Sequence, residues 1–339
     1  MLYYKRARGG MEFRRFVNDG VEYRFDPLTG DQCRINPQRA KRLRQTVNDE
    51  ALRQMVANSR ESCPFCPEHV EQMTPKFPEK NWEEGRIKFG QTLIFPNLNP
   101  FGENHAVAII TQAHFLPLDE FSTDMLCHNL LASKGYILAV HRRGHEATWP
   151  TYMWNYMPPS AGSIIHPHAQ ILVESKPLPK QAQLLEKSQQ YMGSEGNNYW
   201  EELVKQERKL GERFIYQSDF ISVLASFAPR GFNEIQFVFR DKSSLGGLEE
   251  EEIQDFASCL VRALRGYRNI GVGSFNLITF SGPLGKNLDY YRLHAKLISR
   301  PHPAGIYTSD TGPLERLCDA WVIDTLPEVV AERLKPFFS

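Results

Sequence analysis

The sequence predicts an α+β protein in which two related halves each set short, largely antiparallel strands beside flanking helices. Three observations carry this. The strand-like runs are brief and interrupted by turn formers, unlike the long apolar strands of a parallel sheet. Apolar residues return at helical spacing between those runs, in both halves. No Gly-x-Gly-x-x-Gly or Walker-type loop is present, which argues against a Rossmann dinucleotide enzyme and a P-loop NTPase.

In chain order, residues 21–36 read as strand, turn and strand, with the turn at Asp26-Pro27-Leu28-Thr29-Gly30. Residues 47–62 suit a helix that stops before Cys63-Pro64. Strands are expected at 91–96 and 105–111, split by Asn97, Asn99, Pro100 and Gly102. Leu118, Phe121, Met125, Leu126 and Leu130 give an amphipathic helix over 119–134, and 136–141 returns to strand. Further strands are expected at 151–157 and 164–173. A linker near 175–198 contains helical stretches and divides the chain into an N-terminal domain, 1–180, and a C-terminal domain, 181–339. The second half reads helix (199–210), strands (213–217, 221–226, 234–240), helix (249–266) and strands (273–280, 290–299). A last helix, 325–335, has Thr325 and Glu328 spaced as a capping box with Pro327 in the first turn.

Lys plus Arg equals Asp plus Glu, at 40 each in 339 residues, so bulk charge gives no reason to expect nucleic acid or an anionic membrane as partner. No run reaches the roughly 18 to 20 apolar residues that span a bilayer, and MLYYKRARGG lacks the apolar stretch of a signal peptide. A cytoplasmic protein is the expectation. The six cysteines (33, 63, 66, 127, 259 and 318) are sparse, and only Cys63 and Cys66 are closely paired, so a disulfide framework is excluded. Arg34, Arg39, Lys41, Arg42 and Arg44 crowd one stretch, either a solvated loop face or a source of phosphate ligands.

The strongest motif is His166-Pro167-His168-Ala169-Gln170. On a strand, His166, His168 and Gln170 share one face, and Pro167, which has no N–H, points to an edge or a bulge. Two imidazoles and an amide in one row suit a metal or a phosphate. Cys63-Pro64-Phe65-Cys66 is the second signal: two thiolates spaced for one tetrahedral zinc, or a redox dithiol, or two buried thiols. Further ligands would come from His69, His105, His114, His128, His141, His145 or His166, and spacing does not choose among them. A division of labour connects the motifs. Zinc takes Cys63, Cys66, His166 and one more histidine, leaving His168 free as a nucleophile toward phosphorus. Gln170 donates an N–H to a non-bridging oxygen as charge develops. A closed Cys2His2 zinc has no open position and is structural.

With these motifs, and with Asp26-Pro27-Leu28-Thr29, Asn36-Pro37-Gln38-Arg39-Ala40-Lys41-Arg42, Gln112-Ala113-His114 and the segment from Asn155 to Gln170, the chain resembles the galactose-1-phosphate uridylyltransferase family of the histidine-triad superfamily. The resemblance covers most of the first half and, loosely, the second. It implies two related α+β halves, a homodimer, and one structural zinc per chain on Cys63, Cys66, His114 and His166. It implies that His168 attacks the α-phosphorus of a nucleoside-diphosphate sugar, with Gln170 holding the nucleotidyl intermediate and Ser163 near its phosphate. Asn97 and Asn155 match nucleotide-side positions, and Arg39 and Arg42 match phosphate-side positions near the dimer interface.

Three departures qualify the resemblance. Leu98 stands where the family has an acidic ribose ligand. A second metal site of some members uses a C-terminal His-x-His with an upstream histidine; here these are His294-Ala295-Lys296 and Phe280, so that site is expected to be absent, with His294 and Lys296 either binding a phosphate or forming an ordinary strand face. The family's hexose-binding run is not found between Tyr307 and Trp321. The expected function is nucleotidyl transfer from a nucleotide sugar to a phosphorylated acceptor, in the manner of UDP-glucose–hexose-1-phosphate uridylyltransferases. The alternatives are an ADP-sugar or dinucleoside-polyphosphate phosphorylase, a histidine-triad hydrolase, and a non-catalytic nucleotide binder.

Overall fold

The computed structural model describes residues 2–6, 11–41, 49–78, 82, 84–144, 146–303 and 308–339, with the side chains of 2–6, 41 and 49 left aside. The chain opens with strands β1 (Leu2–Arg6), β2 (Glu12–Asn18), β3 (Val21–Phe25) and β4 (Gln32–Ile35), then helices α1 (Asp49–Arg60) and α2 (Val70–Met73). The first half continues through β5 (Ile87–Phe89), β6 (Thr92–Pro96), β7 (Asn104–Ile109), α3 (Thr123–Arg143), β8 (Trp149–Tyr156) and β9 (His168–Glu174). Two helices follow, α4 (Pro179–Glu195) and α5 (Tyr199–Leu210). The second half runs β10 (Phe214–Gln217), β11 (Ile221–Ala225), β12 (Phe232–Phe239), α6 (Glu250–Asn269), β13 (Phe275–Phe280) and β14 (His294–Ser299). The chain closes with α7 (Pro313–Cys318), β15 (Trp321–Ile323) and α8 (Pro327–Leu334).

Ten strands form one antiparallel sheet in the order β10-β11-β12-β14-β13-β8-β9-β7-β6-β5. Its two halves have one topology. Three strands meander, a helix follows, and the last strand inserts between the third and the fourth. Gln170 lies opposite Met153, Lys296 lies opposite Ile278, and Met153 pairs with Ile278. That pair therefore lies on a pseudo-two-fold axis that relates β9 to β14 and His168 to His294. Alternation along the strands gives the sheet two unlike faces. Tyr152, Trp154, Ala169, Ile171, Phe237, Ala295 and Leu297 pack with α3 and α6 into the main core. His168, Gln170, His294 and Lys296 lie on the other face.

A second sheet, β1-β2-β3-β4-β15, is antiparallel except for β15, which joins β4 in parallel. Met11, Phe13 and Ile35 from it pack with Trp200 and Leu203 of α5 and with Leu224 and Val238 of the large sheet, so the N-terminal strands cover part of the second half. Arg24, fully buried, donates to both carboxylate oxygens of Glu328 at 2.9 Å, and Arg213 donates to the same group at 2.7 Å.

The fold corrects several sequence expectations. Residues 136–141 are not a strand but the end of α3, because Leu126, Leu130, Ile137 and Val140 are buried on one continuous helical stripe. The helix starts at Thr123, where the Ser122 hydroxyl accepts from the Met125 N–H. The strand expected at 164–173 begins at His168, and the one expected at 290–299 begins at His294. β9 lies inside the sheet, not at an edge; Pro167 is tolerated because it precedes the ladder, where its carbonyl accepts from Ile110 N–H at 2.9 Å. Thr325 does not cap α8. The helix starts one residue later, after Leu326, the Thr325 hydroxyl donates to Asp324, and Glu328 faces the two arginines. Strands β1, β2, β5 and β15 and helices α2 and α7 have no counterpart in the sequence reading.

Candidate functional site

The turn after α1 and the loop before β9 converge beneath β6 and β7. Cys63, Cys66, His114 and His166 are all buried, and one ligand atom from each lies within 4.8 Å of all the others. The Cys66 Sγ is 3.3 Å from His114 Nδ1 and 3.6 Å from His166 Nδ1, and the Cys63 Sγ is 3.8 Å from His166 Nδ1. A tetrahedral ion with metal–sulfur bonds of about 2.3 Å and metal–nitrogen bonds of about 2.0–2.1 Å would separate S and N ligands by about 3.6 Å. The observed spacings bracket that value.

The tautomers agree with ligation. His166 Nε2 donates to the Thr111 carbonyl at 2.8 Å, and His114 Nε2 donates to the Val56 carbonyl at 3.2 Å. A carbonyl only accepts, so both Nδ1 lone pairs are left facing the sulfurs. Burial lowers the basicity of both rings, to about 4 at His166, and pushes the Cys66 thiol up to about 12. Such groups are costly to bury unpaired, and a cation offsets that cost. His69, His105, His128 and His141 stand outside the cluster; His145 lies outside the described residues.

His168 opens β9 two residues beyond His166. Its Nδ1 donates to the His166 carbonyl at 2.7 Å, which fixes the proton there and leaves the Nε2 lone pair free. Burial lowers its basicity too, which favours the neutral ring. Among the described residues Nε2 has no hydrogen-bond partner, and it is not among the sealed unpaired atoms. Phe65, between the two cysteines, packs edge-on against His168 with centroids 5.1 Å apart, so the knuckle holds this ring directly.

Gln170 lies on the same face. Its Oε1 accepts from His105 Nε2 at 2.8 Å, and Asn97 Nδ2 is 3.5 Å away. The Phe101 N–H donates to His105 Nδ1 at 3.3 Å, so Nε2 carries the proton. With its oxygen engaged, the Gln170 NH2 is left as a donor without a partner among the described residues. The sequence offered His105 only as a metal ligand. Its actual place follows from the register, which sets Val107 opposite Gln170 and His105 opposite Leu172. Leu98 and Phe101, 71% and 66% exposed, form an apolar lip beside Asn97.

Asn155 pairs with Asn276 across the centre of the sheet, and its Oδ1 accepts from Asn276 Nδ2 at 2.7 Å. Arg300 donates to Asn276 Oδ1 at 2.8 Å and is held by both oxygens of Asp310. Asn276, Arg300 and Asp310 carry no motif and were missed by sequence reasoning. Ser163 is exposed in the loop before His166. Arg39 sits half-buried in the turn after β4, with no side-chain partner among the described residues, and Arg42 lies outside those residues.

The second half answers the first with different chemistry. His294 also donates Nδ1 to the carbonyl two residues back, that of Arg292, at 3.0 Å. However, it is fully buried between Trp200 and Phe280, whose ring centroids lie 3.9 and 5.0 Å away, and burial lowers its pKa to about 3. An imidazole sealed in this way offers nothing to a phosphate, which corrects that expectation for His294. Lys296, in the place of Gln170, is paired with Glu234 at 2.7 Å.

No helix of the described residues is long and apolar enough to cross a membrane. No protein-family profile matches the chain. An uncharacterized protein of Archaeoglobus fulgidus is 28% identical over 323 residues, 94% of this chain and 93% of that one. Among solved structures, the fold is that of an ADP-glucose phosphorylase from Arabidopsis thaliana with bound ADP-glucose (TM-score 0.72, 18% identity, 93% of this chain and 98% of that chain). A uridylyltransferase has the same fold at a TM-score of 0.69, with 20% identity over 93% of this chain and 98% of that chain. These likenesses extend across both halves and show a shared α+β fold of antiparallel strands with flanking helices.

Proposed function

We propose that the protein is a nucleotidyltransferase that moves a nucleotidyl group from a nucleotide sugar through His168. The single observation behind this is the buried imidazole whose Nδ1 donates to the His166 carbonyl, leaving the Nε2 lone pair without a partner among the described residues. In the first step Nε2 attacks the α-phosphorus, the P–N bond forms, and the bond to the leaving sugar phosphate breaks. The Nδ1 proton stays on the ring, and the His166 carbonyl stabilises the resulting cation. Gln170 donates its NH2 to a non-bridging oxygen as charge builds there. In the second step an acceptor oxygen attacks the phosphorus and the P–N bond breaks. Departing sugar phosphate is already anionic and requires cationic neighbours more than a general acid.

Cys63, Cys66, His114 and His166 would hold one zinc. With four protein ligands it would be structural, supplying rigidity to the turn that carries Phe65 and to the loop that carries His168. Inorganic phosphate is the acceptor we favour, as in a phosphorylase acting on an ADP-sugar. The likeness to an ADP-glucose phosphorylase supports this, as does the lack of a recognisable hexose-binding run between Tyr307 and Trp321. Arg39 and Arg42 are the proposed phosphate ligands, Asn97, Asn155 and Ser163 the nucleotide contacts, and a homodimer the assembly.

The test is exchange of labelled glucose 1-phosphate into ADP-glucose and, separately, UDP-glucose with no acceptor present, followed by addition of phosphate, sulfate or galactose 1-phosphate. A double displacement gives exchange without acceptor, abolished by His168→Ala. Absence of exchange with every nucleotide sugar, alongside net turnover, would rule the scheme out.

A further inference from the structure

At the pseudo-two-fold counterpart of the Cys2His2 cluster the second half has a cavity of about 410 Å³. Val238 and Ser222 lie on its floor, at the places that Ile109 and Leu93 take beneath the cysteine knuckle. Arg292 stands where the first half has His166, two residues before the related histidine. α5 covers this side, and Lys205, Arg208 and Lys209 project from its one face into the cavity, with Arg240 from the end of β12 completing the ring.

The charges there are poorly matched. Five cations line the cavity against one carboxylate, Glu201, which is paired with Arg292. Glu202 lies 3.4 Å from Lys205, and Asp219, Glu250, Glu251 and Asp255 line the adjoining surface with Arg208 and Arg240 without an ion pair to either among the described residues. Arg208 and Arg240 donate only to neutral oxygens, of Gln217 and of the Asp219 backbone. Lys209 has no partner among the described residues, and the Arg292 Nε is sealed without one. The surplus is local, since the chain as a whole is neutral. Cations converging on one concave wall repel each other, and a multiply charged anion removes that repulsion. The volume falls in the range of about 300–1,000 Å³ that small-ligand pockets occupy.

We propose that this cavity is a second, non-catalytic binding site for a diphosphate group, either free pyrophosphate or the diphosphate of a nucleotide. His168 is not among its lining residues, and the site does not depend on the reaction assigned to that residue. One wall is Trp200, which stacks on His294, so an occupant would press on the residue related by pseudo-symmetry to His168.

Calorimetric titration at low salt with inorganic pyrophosphate, ADP and orthophosphate tests this on the wild type, on K205E/R208E and on His168→Ala. Lys205 and Arg208 are exposed, and a second pair, K205Q/K209Q, removes charge without reversing it. Pyrophosphate should bind more tightly than orthophosphate, lose at least tenfold in affinity in K205E/R208E and several-fold in K205Q/K209Q, and be unaffected by His168→Ala. If ADP follows the same pattern, the ligand is a nucleotide; if only pyrophosphate does, it is the inorganic ion. Pyrophosphate affinity unchanged in both charge variants, or no pyrophosphate binding to the wild type, would overturn the proposal.

Discussion

Replacing Glu328 with glutamine should destabilise the protein by an amount that depends on pH in a defined way. Glu328 is three-quarters buried and accepts from Arg24 and Arg213, whose side chains are 0% and 2% exposed. Burial works to raise its pKa, but the two guanidiniums outweigh it and hold the group at about 2, against an ordinary 4.5. That shift corresponds to about 3 kcal/mol of stability, at roughly 1.4 kcal/mol for each pKa unit. The folded-state pKa is depressed, so the contribution is complete above pH 4.5 and is lost as pH falls through the interval down to 2. The same interaction seen from the cations gives a similar figure, on the order of 3–5 kcal/mol when a buried pair is broken. For a chain of this size, 3 kcal/mol corresponds to a fall in Tm of about 4–5 °C. Calorimetric scans of wild type and E328Q from pH 3 to 8 read both quantities. The gap should be widest above pH 5 and narrow toward acid. A gap under about 1 °C at neutral pH, or one that does not narrow, would refute the reasoning.

Cys63→Ser should lower bound zinc from one equivalent per chain to below about a tenth, with a lower Tm, since metal affinity is folding free energy in such sites; elemental analysis of the purified protein reads this directly. His105→Leu should reduce kcat by about tenfold, because the Gln170 amide would lose the donor that orients it, while Gln170→Ala should cost about 10²-fold. The double variant should be no slower than Gln170→Ala alone, since His105 acts through that amide. Arg300→Met should raise KM for the nucleotide sugar about tenfold with little change in kcat, as Asn276 ceases to orient Asn155; steady-state kinetics at saturating acceptor would separate the two.

The motifs around His168 were legible because their chemistry is local. Cys63 and Cys66 are three residues apart, and His168 and Gln170 share a face through the two-residue period of a strand. Spacing alone could not choose His114 over the five other candidates for the last ligand; the resemblance implied it, and the crossing of the loop after β7 with the turn after α1 brings it to Cys66. His105 was misjudged for a related reason. Its partner is set by the register of β7 against β9, and no short-range pattern encodes that register. Residues 136–141 look like a strand because Tyr136, Ile137 and Val140 are β-formers, yet they continue the buried stripe of α3, and packing overrides propensity there. Glu328 met the spacing of a capping box, but a carboxylate gains more from two buried guanidiniums than from one backbone N–H. The identical topology of the two halves was visible only as a similar mix of elements. The exchange of His166 and Gln170 for Arg292 and Lys296 at places related by the pseudo-symmetry emerged from the strand pairing.

The central claim is that the His168 Nε2 itself takes up the nucleotidyl group. Mass spectrometry of the intact protein, quenched in alkali after incubation with ADP-glucose and with UDP-glucose without acceptor, tests it most directly. The account expects a single nucleotidyl adduct from at least one of them, mapping to the peptide that contains His168, removed by acid and discharged by the acceptor. Turnover proceeding with no such adduct, or with the adduct on another residue, would contradict it.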